Sequence, residues 1–412
     1  MTLSIKPRAV AEALVNYRPG GSETGKVKLS SNESAAPPSR TVLDRLEKAL
    51  SDIHRYPAHD GRAAREAFAN RLGRTAEADI GVDRVIMGSG SVSLLRQIYE
   101  AFVAPGDEVV VGWPSFEAYP VFSAAREAAE VPVPLVAGRF NLAAMADAVT
   151  DRTRVVIVTT PNNPTGSVIG HEALVRFVDG VPSTCLVVID HAYAEFDRCL
   201  GSARPLALID RPNVVVLRTL SKAYALAGLR IGFGIGHPEV IAPIDAFRAP
   251  FEVNALAQAG AIAALEGEPL LDAIGERDRC AATLWAGGLP VGTGQGNFVW
   301  IPASAALGTI VTAMRDANFV PRSFEGEGVR VSLGTPDQND GWVASVLAAW
   351  RSKALADVRA AAAGPVADLV ERWRARGIDL AVDAGAGRQD LDLQAETFAL
   401  AEAIWPATGG TS

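Results

Sequence analysis

One short segment of the sequence places a lysine among side chains that could bind a phosphate group. Lys222 follows Thr219 and Ser221 directly after a predicted strand that ends near Arg218, and Arg230 comes shortly after it. An unpaired ammonium group is costly to bury, and a partly desolvated lysine beside a cation becomes a nucleophile towards an aldehyde. The two hydroxyl groups and the guanidinium of Arg230 suit a dianionic phosphate. An isolated Ser-Lys pair would indicate only a surface lysine, whereas the whole segment predicts a reactive amine beside an anion site.

Two other polar motifs come directly after predicted strands. Asp190 and Tyr193 close a strand over 186–190, and Asn163 belongs to a turn rich in Pro and Gly that follows a strand over 155–159. Considered alone, the aspartate is typical of a helix N-cap and the asparagine of a turn. Each motif alone is therefore weak, and its interpretation depends on the wider pattern.

A glycine-rich turn lies between a predicted strand over 85–87 and a helix that begins near Leu94. Such a turn presents backbone N–H groups and the positive end of a helix dipole to an anion. Ser91 and Val92 occupy the end of this turn and are candidate anion contacts, although a loop of this kind is often only a tight connection.

The elements that would position these residues alternate along the chain. Short apolar runs alternate with helical patterns, and several runs carry apolar side chains at successive positions, as strands buried on both faces do. The intervening helices suit crossover connections, which predicts an α/β protein with a large domain of mostly parallel sheet flanked by helices, followed by a smaller α+β domain. The predicted strands are 85–87, 108–111, 155–159, 186–190, 214–218, 230–234, 298–301 and 329–333, and the predicted helical regions include 41–50, 94–102, 142–149, 171–178 and 238–271.

The composition narrows the range of partners. A net charge of -8 and a hydrophobic content of 49% describe a globular protein and argue against nucleic acid or an anionic membrane as a partner. The longest apolar stretches have the length of strands and are far shorter than a bilayer span. Three cysteines without metal-ligand spacing predict a reducing, cytoplasmic location and no metal site.

Together, these motifs resemble those of the fold-type I pyridoxal-phosphate aminotransferases, in the branch of the histidinol-phosphate and aromatic amino acid enzymes. The resemblance runs from about Tyr17 to Asp340 and implies an aspartate-aminotransferase-like fold. It implies that pyridoxal 5'-phosphate is held covalently by Lys222, with Asp190 against its pyridinium nitrogen. Tyr193 and Asn163 would bond its phenolic oxygen, and Lys222, Asp190 and Tyr193 would form the catalytic set. The residues implied at its phosphate are Ser91, Val92, Thr219, Ser221 and Arg230.

The resemblance also assigns the remaining site residues. Phe116 would stack on the cofactor ring, with a core aromatic as the competing interpretation. Arg330 would bind the substrate carboxylate or its equivalent, assisted by Asn297. Arg322 is expected to be a solvated surface residue, with a second anion contact as the competing interpretation. Tyr17 and Asn32 would belong to the segment that covers the substrate. Tyr56 would reach the cofactor phosphate of a neighbouring subunit, which predicts a homodimer.

The predicted domains follow from the same comparison of patterns. Residues 1–50 would form the substrate-covering segment and part of the small domain. Residues 51–265 would form the large cofactor-binding domain, and 266–350 the small C-terminal domain. The Ala-rich segment 351–412 is predicted to be a helical extension of unknown role.

The implied reaction is amino transfer from an aromatic amino acid or histidinol phosphate to 2-oxoglutarate by a ping-pong mechanism. Three departures from the family pattern, at His191, Val92 and Ser34, leave room for an alternative on the same fold, namely decarboxylation or oxidation of an amino acid in a natural-product pathway. A regulatory protein that retains the cofactor is a third interpretation. It is disfavoured because Lys222 and Asp190 are both present and no nucleic-acid-binding domain is evident.

Overall fold

The computed structural model describes residues 7–14, 20–76, 80–304 and 306–353. Tyr17 and almost all of the predicted C-terminal extension therefore lie outside the described residues. The helices are α1 Ala9–Ala13, α2 Arg40–Ala49, α3 Arg62–Ala76, α4 Ser91–Phe102, α5 Tyr119–Ala125, α6 Leu142–Asp147, α7 His171–Gly180, α8 Pro238–Asp245, α9 Ala255–Glu266, α10 Asp272–Ala286, α11 Leu307–Asp316 and α12 Pro336–Lys353. The strands are β1 Val27–Lys28, β2 Val85–Gly88, β3 Glu108–Trp113, β4 Ala129–Pro134, β5 Thr153–Thr159, β6 Leu186–Asp190, β7 Val214–Thr219, β8 Gly232–Gly236, β9 Phe298–Pro302, β10 Phe319–Val320, β11 Arg322–Phe324 and β12 Gly328–Ser332.

A seven-stranded sheet in the order β2-β8-β7-β6-β5-β3-β4 forms the centre of the large unit. Strand β8 is antiparallel to both of its neighbours, and the other pairs of adjacent strands are parallel. Alternate residues of β5 pack on opposite faces of the sheet. Val156 and Val158 belong to one hydrophobic cluster, and Val155 and Ile157 belong to another. Burial on both faces explains the continuous apolar runs, and the predicted α/β class is confirmed.

Two sequence-based expectations about these elements were wrong. Strand β4 was missed because it lies at the sheet edge, is mostly exposed on its outer face, and contains Pro132 and Pro134. The long helical region predicted over 238–271 is instead two helices, α8 and α9. The chain between them contains Pro250 and turns through Phe251, which has a positive φ of 56°.

A smaller α+β unit follows the large sheet in the chain. Strands β11, β12 and β9 form an antiparallel sheet in that order, and helices α10, α11 and α12 pack with it around a core that includes Trp342 and Trp350. Leu29 from the N-terminal segment belongs to the same core, and β1 pairs in parallel with β10. The N-terminal segment is thus packed into the smaller unit, and the exact domain boundaries stay a prediction.

The topology brings the polar motifs to one edge of the large sheet. Strands β5, β6 and β7 are adjacent and parallel, and their last residues are Thr159, Asp190 and Thr219. The carboxyl ends of parallel strands are the usual location of ligand sites in α/β proteins. Within the described residues, no helix is long and apolar enough to cross a membrane.

Candidate active site

Lys222 lies just beyond the end of β7 and projects towards the N-terminal segment. Its Nζ donates a hydrogen bond of 3.0 Å to the carbonyl oxygen of Ser31. Burial is the main cause that lowers the pKa of this amine to about 7, and the charges of Arg330 and Arg230 act in the same direction, against Glu33. A substantial fraction of Lys222 is therefore neutral near neutral pH, as a nucleophilic amine must be.

Asp190 ends β6 and is almost completely buried, with 5% of its surface exposed. Tyr119 donates a hydrogen bond of 3.0 Å to its Oδ2, and the amide of Ala192 donates one of 3.2 Å to its Oδ1. Burial raises the pKa of Asp190 to about 6, although these bonds and the charge of Lys222 act in the opposite direction. The carboxylate is thus held in a fixed orientation at low dielectric, where it interacts strongly with a nearby cation.

The phenol of Tyr193 is held by the N-terminal segment. Asn32 donates a hydrogen bond of 2.8 Å from Nδ2 to the Tyr193 oxygen. The Oδ1 of Asn32 accepts a bond of 2.9 Å from Ser332 on β12, and its carbonyl accepts one of 3.1 Å from Asn297. Lys222 Nζ lies 5.8 Å from the centre of the Tyr193 ring. Asn32 therefore contacts Tyr193 directly, and Asn297 contacts Asn32.

The helix N-terminus of α4 faces the guanidinium of Arg230. Gly90, at the N-cap, has a positive φ of 76°, and a Cβ atom there would lie 2.4 Å from an Arg230 nitrogen. Arg230 lies 3.4 Å from the Ser221 hydroxyl, which in turn lies 2.9 Å from the hydroxyl of Thr219. Hydroxyl groups, a guanidinium and the N-terminus of a twelve-residue helix thus converge, as a phosphate site requires.

Arg330 on β12 is buried and points towards the large sheet. One of its terminal nitrogens donates to Oδ1 of Asn163, and the other donates to the carbonyl of Ser30 at 2.5 Å. Its guanidinium lies 5.7 Å from the ring centre of Phe298. The side chain is therefore held in position by hydrogen bonds to two oxygens and by an aromatic ring.

A cavity of about 290 Å³ joins these groups, which is near the lower limit of the usual range for small-molecule sites. The predicted site residues that line it are Ser91, Val92, Phe116, Asn163, Asp190, Tyr193, Thr219, Ser221, Lys222, Arg230 and Arg330. Asn32 and Asn297 are buried beside it and do not line it. Tyr56 is 81% exposed and stacks on Phe251, with 4.5 Å between the ring centres, and it does not reach the cavity of its own chain.

Sequence reasoning missed some residues of the site. Tyr119 was not among the predicted site residues, yet it donates a hydrogen bond to Asp190, and Thr159 lies 3.0 Å from the same Tyr119 hydroxyl. Thr159 pairs with Asp190 across β5 and β6, so the ends of adjacent parallel strands were the available signal. The expectation that Arg322 is a solvated surface residue was wrong, because it lines the cavity and forms an ion pair with Glu117.

His191 is buried and does not line the cavity. Burial, and to a lesser extent the charge of Arg218, lowers the pKa of His191 well below its ordinary value, so the imidazole is neutral. Its position favours a packing role over direct contact with a substrate.

Comparison with known proteins places the chain among enzymes. A family model described as "Aminotransferase class I and II" matches residues 24–346. The chain is 42% identical to the aromatic amino acid aminotransferase of Mycobacterium ulcerans over 347 residues, which cover 82% of this chain and 95% of that protein. It is 41% identical to the corresponding protein of Mycobacterium tuberculosis over 358 residues, 85% of this chain and 99% of that one. Among solved structures, histidinol-phosphate aminotransferase from Sinorhizobium meliloti in complex with pyridoxal-5'-phosphate matches with a TM-score of 0.77 at 26% identity, covering 86% of this chain and 99% of that one.

Proposed function

Because the chain belongs to the class I and II aminotransferases and is a pyridoxal-phosphate-dependent transaminase, we propose that it transfers the amino group of an aromatic amino acid or of histidinol phosphate to 2-oxoglutarate by a ping-pong mechanism. Family membership supplies an amino acid and a keto acid as substrates. The relatives named as aromatic amino acid aminotransferases support the aromatic donor, and the structural neighbour supports histidinol phosphate as the other candidate.

The residues of the cavity fit pyridoxal 5'-phosphate. Arg230 and Ser221, with the α4 N-terminus, offer donors to a phosphate at one end of the cavity. Asp190 offers a buried carboxylate, and Lys222 an amine whose pKa is lowered to about 7. A Cβ atom at Gly90 would lie 2.4 Å from an Arg230 nitrogen, so a glycine at this position allows the guanidinium to lie directly against the turn. When bound, the cofactor supplies an electron sink for the substrate's α-carbon.

Lys222 has two roles in the proposed reaction. Its Nζ would hold the cofactor covalently in the resting enzyme, which requires a neutral amine. After the substrate amine replaces it, the freed Nζ would accept the proton from the substrate's α-carbon as a base and donate it as an acid to the cofactor carbon that keeps the amino group. Its lowered pKa suits both roles, because an amine that titrates near 7 can accept and return a proton at neutral pH.

Asp190 and Tyr119 would act on the ring nitrogen of the bound cofactor. The ionised carboxylate stabilises a positive charge on a ring nitrogen held against it, and its low-dielectric surroundings strengthen this interaction. The hydrogen bond from Tyr119 favours the ionised form and fixes the orientation of the carboxylate. Tyr193 and Asn163 would donate hydrogen bonds to the phenolic oxygen of the bound cofactor.

Arg330 would orient the substrate through its carboxylate. A guanidinium binds a carboxylate with two parallel hydrogen bonds, and this binding fixes the α-carbon relative to Lys222. The observation that carries the proposal is the convergence of Lys222, Asp190, Tyr193 and Arg330 on one cavity at the carboxyl ends of β5, β6 and β7.

The first test is the visible absorbance of the purified protein, with Lys222→Ala as the control. We expect a cofactor band that decreases on addition of phenylalanine or histidinol phosphate and returns with 2-oxoglutarate. Lys222→Ala should lack the covalently bound form. A band that no amino donor changes, or that decays while oxygen is consumed, would contradict amino transfer and favour the decarboxylation or oxidation alternative.

A homodimer that shares Tyr56 is part of the proposal. Tyr56 is highly exposed, and the neighbouring exposed apolar residues Ile53 and Phe251 suit a protein interface. The test mixes Tyr56→Ala with Lys222→Ala after each has been shown to be nearly inactive. If each site borrows Tyr56 from the partner, mixed dimers recover one intact site, and about a quarter of wild-type activity returns in an equimolar mixture. No recovery in mixed dimers would contradict the shared site.

The domain boundaries predicted from the sequence, at 50, 265 and 350, are retained as a proposal. A cytoplasmic location is likewise proposed from cysteine usage, and Cys185, Cys199 and Cys280 are buried free thiols in the structure.

A further inference from the structure

The side chain of Lys28 reaches the cavity from the N-terminal segment. Its neighbours Val27 and Leu29 pack with the core of the smaller unit, so the alternation of side chains along a strand directs Lys28 to the other face. The position of its backbone is fixed, because β1 pairs in parallel with β10. Lys28 lines the same cavity as Lys222 and Arg330.

Lys28 forms an ion pair with Glu33, which lines the cavity beside it. Its Nζ lies 3.0 Å from Oε1 and 2.9 Å from Oε2 of this carboxylate. The pair is partly exposed, with 36% of the Lys28 side chain and 48% of the Glu33 side chain accessible. Because ion pairs with such exposure contribute little to stability, another carboxylate can replace Glu33 at little cost.

The head group of Lys28 also has space in which to reorient. Both Lys28 and Glu33 line an adjoining cavity of about 550 Å³, which lies along the N-terminal segment. The pair therefore separates two cavities and is not enclosed by packed side chains. A change of partner requires a movement of the flexible lysine stem alone.

The proposed reaction requires one cavity to accept two different side chains in turn. An aromatic donor carries an uncharged ring, whereas 2-oxoglutarate carries a second carboxylate. A cation without a counter-ion would be costly while the ring is bound, and a carboxylate without one would be costly while the acceptor is bound. A cation that exchanges between a carboxylate of the protein and one of the substrate meets both requirements.

We propose that Lys28 is a specificity-determining residue that binds the second carboxylate of the keto acid acceptor and returns to Glu33 when an aromatic side chain occupies the cavity. Lysine suits this exchange because its charge is compact and its stem is flexible. The inference rests on the proposed amino transfer and names the contact that admits 2-oxoglutarate. Histidinol phosphate offers a second anion of another kind, and the experiment separates the two.

Arg322 is another candidate for this carboxylate. It lines the cavity, but it donates two hydrogen bonds of 3.0 and 2.6 Å to the carboxylate of Glu117. Only 14% of its side chain is exposed, so its pair with Glu117 is less solvated than the pair formed by Lys28. A bidentate, shielded pair is harder to break than a partly exposed one, which favours Lys28.

A purely structural role for the Lys28 pair is the competing explanation. Glu33 follows Asn32, which holds Tyr193, so the pair joins β1 to a segment of the site. A structural contact affects every substrate alike, whereas a binding contact changes the ratio between acceptors. Because an enzyme discriminates between substrates by the ratio of their kcat/KM values, this ratio is the quantity to measure.

The experiment compares cofactor-loaded wild type with Lys28→Met, which removes the charge and keeps an unbranched side chain. The measured quantity is kcat/KM for 2-oxoglutarate divided by kcat/KM for phenylpyruvate, with tyrosine as the amino donor. We expect this ratio to fall about tenfold in Lys28→Met, as the loss of a charged hydrogen bond implies, and to be largely kept in Lys28→Arg. The matched control is Lys26→Met, because Lys26 pairs with Glu23 at 2.7 Å in the same segment and does not line the cavity. The ratio of the control should equal that of wild type.

Glu33→Gln should change the ratio in the opposite direction. It removes the internal partner of Lys28 and a negative charge beside the acceptor, so the ratio should rise several-fold. The charge of Glu33 also raises the pKa of Lys222, and loss of this effect acts on both acceptors and cancels in the ratio. If Lys28→Met does not fold, a rise in Glu33→Gln supports the proposal and an unchanged ratio contradicts it.

Equilibrium binding separates this inference from the proposed function. In calorimetry, glutarate, a dicarboxylate without a keto group, should bind cofactor-loaded wild type about tenfold more tightly than Lys28→Met, whereas 3-phenylpropionate should bind both alike. If wild type transfers no amino group, the proposed function fails, and the glutarate result still decides the role of Lys28. Equal acceptor ratios and equal glutarate affinities in wild type and folded Lys28→Met would overturn the inference. A loss confined to histidinol phosphate, measured relative to phenylalanine, would also overturn it, because it would assign Lys28 to a phosphate.

Discussion

The side-chain amide of Asn32 donates a 2.8 Å hydrogen bond to the phenol oxygen of Tyr193, across 161 positions of the sequence. Asn32 adopts a left-handed backbone conformation with φ of 52°, which an asparagine tolerates better than most residues. The Ser332 hydroxyl accepts a hydrogen bond of 2.7 Å from the backbone amide of Asn32 and donates one to Oδ1 of the Asn32 side chain. Strand β12, which carries Arg330, the N-terminal segment and the loop that carries Tyr193 are thus joined by one buried residue.

Replacement of Asn32 should alter the electronic state of the bound cofactor. In Asn32→Ala, Tyr193 loses the donor that polarises and holds its hydroxyl, so it stabilises a negative oxygen on the cofactor less well. We expect the pH midpoint of the cofactor's visible band to rise by about half a unit to one unit, with a several-fold loss of kcat. A spectrophotometric pH titration measures this shift. Asn32→Ala with a wild-type midpoint would show that the contact is only structural.

The buried carboxylate of Asp190 should make the cofactor-free protein less stable at neutral pH. Its pKa is raised to about 6 in the folded state, against an ordinary value of 3.8, so the folded state binds more protons between these values. This difference in pKa therefore contributes to the stability of the folded state below about pH 4, and the contribution is lost as the pH rises through 6. We expect the free energy of unfolding of cofactor-free Asp190→Asn to exceed that of cofactor-free wild type at pH 8 by roughly 1–3 kcal/mol, whereas the cofactor-loaded variant should have lost most of its activity. Urea unfolding at pH 4 and 8 measures the difference, which should shrink at pH 4.

The hydrogen bond from Tyr119 should lower the pKa of Asp190. Removal of its hydroxyl in Tyr119→Phe takes away a hydrogen bond that favours the carboxylate, so the pKa of Asp190 rises further. We expect the acid limb of the kcat profile to move to higher pH and kcat to fall about tenfold. Tyr99→Phe is the matched control, because Tyr99 is equally buried and its hydroxyl lies near Ser123 and not Asp190. If both variants keep the wild-type acid limb, Tyr119 has no such role.

We expect Lys222 to react with the cofactor as a neutral amine. Burial and two nearby arginines lower its pKa from 10.5 to about 7, so the folded amine is neutral where an exposed lysine remains charged. We expect the rate at which cofactor-free protein takes up pyridoxal phosphate covalently to rise with pH to a midpoint near 7. Stopped-flow absorbance measures the rate. A rate that continues to rise towards pH 10 would show that the amine is not perturbed.

The site residues that could be predicted from the sequence differ in one physical respect from those that could not. Lys222, Asp190 and Asn163 lie at or just after the ends of strands that contain continuous apolar runs, so local pattern alone located them at the edge of the sheet. The contacts of Asn32 and Arg322 join residues that are 161 and 205 positions from their partners. Such contacts depend on how the N-terminal segment and the small sheet pack against the large one, which no local pattern encodes.

The close approach of β8 to the N-terminus of α4 gives the last prediction. A Cβ atom on Gly232 would lie 2.4 Å from the backbone nitrogen of Ser91, so Gly232→Ala must displace the amides that face the phosphate site. We expect the dissociation constant for pyridoxal phosphate to rise at least about tenfold, because hydrogen bonds to a charged group are lost. Gly234→Ala on the same strand is the control, since its Cβ would meet the Ile86 side chain at 2.9 Å and not the loop. Both variants should be less stable than wild type, and only Gly232→Ala should bind the cofactor weakly. Equal affinities in the two variants would mean that the α4 N-terminus does not hold the phosphate.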